Sequence, residues 1–177
     1  ATIAPQAREA FLLMAVEGFS EEEIGHILGK KPAEVLGLLE EASQTIVDQV
    51  ATDVLIIEDE PIIAMDLEAL LESLGHNVTG VARTEQEALK LASTKRPGLV
   101  LADIQLADGS SGIDAVNKML LDFAVPVIFI TAFPERLLTG EKPEPAFLIT
   151  KPFMPDMVKA VVSQALFFFL LSRAAAA

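Results

Sequence analysis

From residue 53 onward the hydrophobic pattern falls into short apolar runs bounded by turn formers, separated by stretches with a helical period. Asp53-Val-Leu-Ile-Ile, Leu99-Val-Leu-Ala, Val125-Pro-Val-Ile-Phe-Ile and Ala146-Phe-Leu-Ile are each too short for a helix and read as buried strands. After the first run, Ile62, Ile63, Met65, Leu67, Leu70, Leu71 and Leu74 recur at helical spacing until Gly75. Asn77 to Val81 is a weaker strand, and Thr84 with Glu87 caps a helix through about Ser93. Another amphipathic helix is predicted at about 113–123. The order βαβαβαβαβα predicts an α/β fold, a parallel sheet with helices on both faces.

Residues 1 to 52 have a different rhythm, that of three helices. Pro5 opens the first, with Phe11, Leu12, Ala15 and Val16 along one side, and Gly18 ends it. Ser20-Glu-Glu-Glu23 is a capping box for a short second helix, with Ile24, Ile27 and Leu28 turned inward. Gly29 breaks that helix. Pro32 opens a third, with the stripe Val35, Leu36, Leu38, Leu39 and Ala42, continuing through Gln44 to Ala51. Gly25, Gly29, Val35 and Leu38 have helix-turn-helix spacing, although any small helical bundle shares much of this pattern. No Gly/Ser/Pro-rich linker separates the two parts, which favours a fixed or switchable contact over free tethering.

Two stretches break the pattern. Pro134 to Gly140 allows one or two helical turns, and Glu141-Lys-Pro-Glu-Pro145 reads as irregular because each proline also restricts its predecessor. It is either a surface loop or a signalling face. At the other end, Phe167, Phe168, Phe169, Leu170 and Leu171 cannot all face one core from a single helix, so some are expected against the N-terminal part or a second copy. Residues 172–177 read as a tail or placeholder.

Composition narrows the function classes. The chain has 177 residues, 51% of them hydrophobic, enough for one large or two small domains. No run reaches the ~18 apolar residues of a membrane span. No membrane partner is expected, and with no signal peptide visible the expected location is cytoplasmic. There is no cysteine, hence no disulfide framework or thiolate metal site. Ala1 is not an initiator, so the chain reads as a fragment or a processed product. A net charge of −13 argues against nucleic acid as a partner of the whole molecule.

Candidate chemistry collects where the strands end. In an open parallel sheet, ligands bind at the carboxyl ends of the strands. The first run ends in Glu58-Asp59-Glu60 before Pro61, the third in Asp103, the fourth in Thr131-Ala132, and the last in Lys151-Pro152. Each has an ordinary structural reading: an Asp that forms a turn, acids that favour a helix N-terminus, a β-branched strand end, a solvated lysine. Their joint occurrence at successive strand ends is what points to a site. A crowd of carboxylates repels phosphate unless a divalent cation neutralises it, and a hard cation such as Mg²⁺ takes oxygen ligands. The metal and an ammonium would then stabilise charge on a transferring phosphoryl group. His26 and His76 lack ligand spacing and receive no role.

In this combination and order, the strand ends resemble the receiver domain of two-component response regulators, over about Asp53 to Phe168. The resemblance implies a flavodoxin-like, doubly wound five-stranded receiver at 53–171. It implies that Asp103 is the phosphoacceptor, Thr131 the switch hydroxyl and Lys151 the lysine that meets the phosphoryl group. It further implies Mg²⁺ as cofactor, held directly by Asp59, by Asp103 and by the Gln105 backbone carbonyl, with Glu58 acting through water. The phosphoryl source would be a histidine kinase or small phosphodonor. The chain would not be an enzyme beyond its own phosphorylation and dephosphorylation, and the Lys151–Pro152 bond would be cis. Two positions depart from the common pattern: Glu58 where many receivers have Asp, and Leu148 where many have an aromatic switch residue. Phe147 should face the other side of that strand.

The segment from Pro5 to Gly29 resembles the promoter-reading region 4 of extracytoplasmic-function sigma factors. Such a module ahead of a receiver resembles the PhyR family of general stress response regulators in alphaproteobacteria, as does the wording Thr-Ala-Phe-Pro-Glu-Arg-Leu-Leu-Thr-Gly. In that family the sigma-like part captures a small anti-sigma protein, NepR, and so frees a sigma factor. The resemblance therefore implies a NepR-like anti-sigma partner for residues 1–52. The family's region-2-like half does not precede region 4 here, which implies a weaker grip. The rival reading is a DNA-binding two-component transcriptional regulator. Against it, residues 33–48 offer Glu34, Glu40, Glu41 and Asp48 and no Lys or Arg, whereas DNA-reading helices need cations toward phosphates and Arg, Lys, Asn or Gln toward bases.

Overall fold

The computed structural model describes residues 4–15, 17–49, 51–139 and 146–175. The chain forms two compact units, Ala1–Val50 and Ala51–Ala177. Expectations for Val16, for the 141–145 segment and for residues 176–177 fall outside the described residues, as do those for the side chains of Ala15, Leu170 and Leu171.

The first unit is three helices: α1 (Pro5–Ala15), α2 (Glu21–Leu28) and α3 (Pro32–Gln49). Ser20 caps α2 as its sequence requires. Its hydroxyl accepts from the Glu23 N–H at 3.4 Å, while the Glu23 carboxylate accepts from the Ser20 N–H at 2.8 Å. Among the described residues, Ala7, Ala10, Phe11, Ile24, Val35, Leu39 and Ala42 are its buried apolar ones. Gly25, within α2, is where the α2–α3 turn folds back closely on the helix: a Cβ there would come within 2.7 Å of the Lys30 carbonyl. Two expected core residues are corrected. Ile27 is 49% exposed and Leu36 44% exposed. Each residue turns an α-helix by about 100°, so Ile27 leaves the face shared by Ile24 and Leu28, and Leu36 leaves that of Val35 and Leu39.

The second unit is a five-stranded, all-parallel sheet of order β2-β1-β3-β4-β5, the flavodoxin-like doubly wound order. Its strands are β1 (Asp53–Ile57), β2 (Asn77–Ala82), β3 (Leu99–Ala102), β4 (Val127–Thr131) and β5 (Ala146–Thr150). The helices are α4 (Pro61–Ser73), α5 (Glu85–Thr94), α6 (Gly112–Asp122) and α7 (Pro155–Ala175), with a 3-10 turn at Pro134–Thr139. β1, β3 and β4 are central and almost wholly buried, which is why they read as continuous apolar runs. β4 begins at Val127, two residues into its apolar run, since Pro126 has no N–H to give a ladder. α7 continues through Ala175, into the stretch read from sequence as a tail. Within it the Phe168 ring packs at 6.1 Å from the Phe147 ring on β5, so one of the C-terminal phenylalanines is used by this unit itself.

Candidate functional site

Because every strand runs the same way, all five carboxyl ends open on one edge of the sheet. The ladder carries on one residue past the strands and fixes the site's backbone. Glu58 N–H donates to the Ala82 carbonyl at 2.9 Å, Asp103 N–H to the Ile57 carbonyl at 2.8 Å, and Lys151 N–H to the Thr131 carbonyl at 2.8 Å. The Lys151–Pro152 peptide bond is cis. The loop after Asp103 returns tightly: Gly112 N–H donates to the Ile104 carbonyl at 2.9 Å. A Cβ on Gly112 would lie 1.8 Å from the Asp103 carbonyl oxygen, so any side chain there would displace the aspartate. Ser111 then caps α6, its hydroxyl accepting from Ile113 and Asp114 N–H.

Lys151 is the hub. Its Nζ donates to Asp103 Oδ2 at 2.7 Å and to Glu58 Oε2 at 2.7 Å, and reaches Glu60 Oε1 at 3.4 Å. The side chains of Lys151 and Asp103 are 9% exposed, that of Glu58 1% and that of Glu60 61%. The second oxygen of each buried acid is also engaged: Glu58 Oε1 accepts from Glu60 N–H at 3.0 Å, and Asp103 Oδ1 from Gln105 N–H at 3.3 Å. Burial pushes the Glu58 carboxyl above its ordinary value, against the pull of the Lys151 ammonium and the Glu60 N–H. Burial also works against charge on Lys151, but its hydrogen bonds to Asp103 and Glu58 outweigh that, and its pKa rises. Thr131 is buried at the end of β4, where its hydroxyl accepts from Phe133 N–H at 3.1 Å.

A cleft of about 370 Å³ opens over these groups, lined by Asp59, Glu60, Asp103, Gln105, Leu106, Ala107, Ala132, Phe133 and Lys151. Carboxylate oxygens of Glu58, Glu60 and Asp103 lie within 4.8 Å of one another, close enough to share a metal ion. An all-oxygen donor set of this kind suits a hard divalent cation. Asp103, Glu58 and Lys151 are thus in mutual contact, Asp59 and Gln105 line the cleft above them, and Thr131 ends the neighbouring strand. Sequence reasoning gave Glu60 no role. The run of three acids was its only signal, and period-2 alternation would not continue into the turn before Pro61. Leu148 is exposed and Phe147 half-buried on the opposite face of β5.

Residues 54–163 match the family described as the response regulator receiver domain, and residues 1–49 the family described as the response regulator PhyR, sigma-like domain. The phyllosphere-induced regulator PhyR of Methylorubrum extorquens is 66% identical over 167 residues, covering 94% of this chain and 62% of that protein. The chain therefore spans a little under two thirds of that relative's length. The crystal structure of the response regulator PhyR from Brucella abortus is 65% identical and superposes with a TM-score of 0.74, over 98% of this chain and 72% of the other. A co-crystal structure of the anti-anti-sigma factor PhyR with the anti-sigma factor NepR, from Bartonella quintana, is 63% identical with a TM-score of 0.54, over 94% of this chain and 68% of that one. By sequence and by fold, this chain belongs to the PhyR family of response regulators.

Proposed function

We infer that this chain is a phosphorylation-controlled response regulator whose helical unit captures an anti-sigma factor of the NepR kind and so releases a stress-response sigma factor. The observation that carries this reading is the Lys151–Asp103–Glu58 cluster at the sheet's carboxyl edge, in a chain whose first 49 residues match the sigma-like family. The Bartonella relative, crystallised with its anti-sigma factor, supports the partner class. The exposed acids Glu34, Glu40 and Glu41 on α3 favour a protein partner over DNA.

In this reading Asp103 is the acceptor and a histidine kinase or small phosphodonor is the source. Mg²⁺ would be held by Asp59, Asp103 and the Gln105 carbonyl, and would neutralise the carboxylates that otherwise repel a phosphoryl group. Glu58 fits an indirect role, because it is 1% exposed and, unlike Asp59, Asp103 and Gln105, does not line the cleft. Lys151 keeps its ammonium at Asp103 Oδ2 and follows the phosphoryl oxygens once they are present. The Thr131 hydroxyl turns a proton toward the same oxygens, and the strand end that carries it leads into the segment after 134. A swing from 1:99 to 99:1 between two states needs ~5.5 kcal/mol of differential interaction, a scale that a few charge-assisted bonds reach.

The test is co-elution of the chain with a NepR-type anti-sigma factor, with and without acetyl phosphate and Mg²⁺. Wild type should gain capture on phosphorylation. Thr131→Ala should take up the phosphoryl group yet lose that gain. Equal gains in both proteins would remove Thr131 from the switch, and no capture in either state would overturn the partner assignment.

A further inference from the structure

Glu60 is an N-terminal cap position that does not cap. It precedes Pro61 at the start of α4, yet its side chain makes no capping hydrogen bond to its own helix. The carboxylate is instead aimed across the cleft, 3.4 Å from Lys151 Nζ, while its N–H is anchored on Glu58 Oε1 at 3.0 Å. It is the outermost acid on the ammonium, 61% exposed where Glu58 and Asp103 are nearly closed off. Of the described residues lining the cleft, Asp59, Glu60 and Asp103 carry carboxylates and Lys151 alone carries a positive charge.

We propose that Glu60 is a specificity-determining residue that slows phosphorylation of Asp103 by free, multiply charged small phosphodonors. The proposal rests on Asp103 being the acceptor. In the transfer from acetyl phosphate, an Asp103 carboxylate oxygen forms the new bond to phosphorus. The acyl P–O bond breaks, and acetate leaves with the electron pair; a carboxylate replaces a carboxylate and no proton is needed. The donor brings two negative charges past the exposed Glu60 carboxylate before Lys151 can meet them. Glu60 opposes it twice, by direct repulsion at the mouth of the cleft and by holding part of the ammonium's charge.

The test follows phosphoryl uptake by intact mass at saturating Mg²⁺, with acetyl phosphate as donor, for wild type, Glu60→Gln and Glu60→Asp. Glu60→Gln should react about three- to ten-fold faster at ~0.1 M ionic strength, where screening reaches across the cleft mouth only weakly. That gain should shrink to less than about two-fold at ~1 M, where the Debye length falls to ~3 Å. Glu60→Asp keeps the rim charge but reaches Lys151 less well, so it should stay closer to the wild-type rate than Glu60→Gln does. Phosphoramidate, with one net negative charge near neutral pH, should show a smaller gain than acetyl phosphate. Equal rates for wild type and Glu60→Gln, a gain that salt does not reduce, or a matching gain in Glu60→Asp would each overturn the proposal. If wild type takes up no phosphoryl group at all, the acceptor assignment falls, and this inference falls with it.

Discussion

Two acid–lysine clusters sit on opposite edges of the same sheet, and they behave differently. At the amino edge, Asp53 at the start of β1 accepts from Lys95 Nζ at 2.9 Å and from Asn77 Nδ2 at 2.7 Å. The two charged side chains there are 55% and 32% exposed. The hydrogen bond from Lys95, then that from Asn77, holds the Asp53 carboxyl below its ordinary value, so its charge is welcome. At the carboxyl edge, Lys151 meets Asp103 and Glu58 at a similar distance, but the buried Glu58 has its pKa raised. Geometry is alike in both places. Burial and an excess of acids over cations make one an ordinary clasp and the other a site whose charge is unmet until something positive arrives.

The largest break in this comparison is expected from Lys151→Met. It leaves two nearly buried carboxylates facing each other without their cation, and should cost ~2–4 kcal/mol in urea unfolding without divalent cation. Adding Mg²⁺ should restore a substantial part. A loss that Mg²⁺ leaves unchanged would mean that the lysine matters for packing and not for charge. A smaller effect, with pH as its signature, separates the two acids. Glu58 has a raised folded pKa, so its stabilising contribution is complete below its ordinary value of 4.5 and is lost as pH rises through the folded value. Metal-free Glu58→Gln should therefore gain stability relative to wild type between pH 4 and 7. Asp53 has a lowered folded pKa, so its contribution is present above 3.8 and is lost as pH falls. Asp53→Asn should be less stable than wild type at pH 7 and converge with it in acid. Parallel pH profiles for the two variants would erase the contrast. The smallest effect is expected from Lys95→Met, about 0.5 kcal/mol at low salt and less at high salt, because both partners are solvated.

Much of the fold was legible in the sequence because its signals are local. The apolar runs of β1 and β3 have one plausible burial, and Ser20-Glu-Glu-Glu23 and Thr84 carry their caps with them. The inward faces of the short helices were less legible. Ile27 and Leu36 are apolar but lie a turn fraction away from the residues that α2 and α3 bury. At the site, the strand ends announced Asp103, Thr131 and Lys151, since a parallel sheet must bring its carboxyl ends together. Glu60 was hidden because its contact with Lys151 depends on a side-chain direction in a turn and not on the strand's period. The excess burial of Glu58 was likewise invisible, being set by how the neighbouring elements pack over it.

The central claim is that the buried cluster at the carboxyl edge takes up a phosphoryl group on Asp103. Intact mass followed by peptide mapping, after incubation with Mg²⁺ and acetyl phosphate, tests it most directly. The account predicts a single added phosphoryl group, mapped to the peptide containing Asp103 and absent from Asp103→Asn. A phosphoryl group gained by Asp103→Asn at the wild-type rate, or one mapped to Asp59 or Glu60 in wild type, would contradict it.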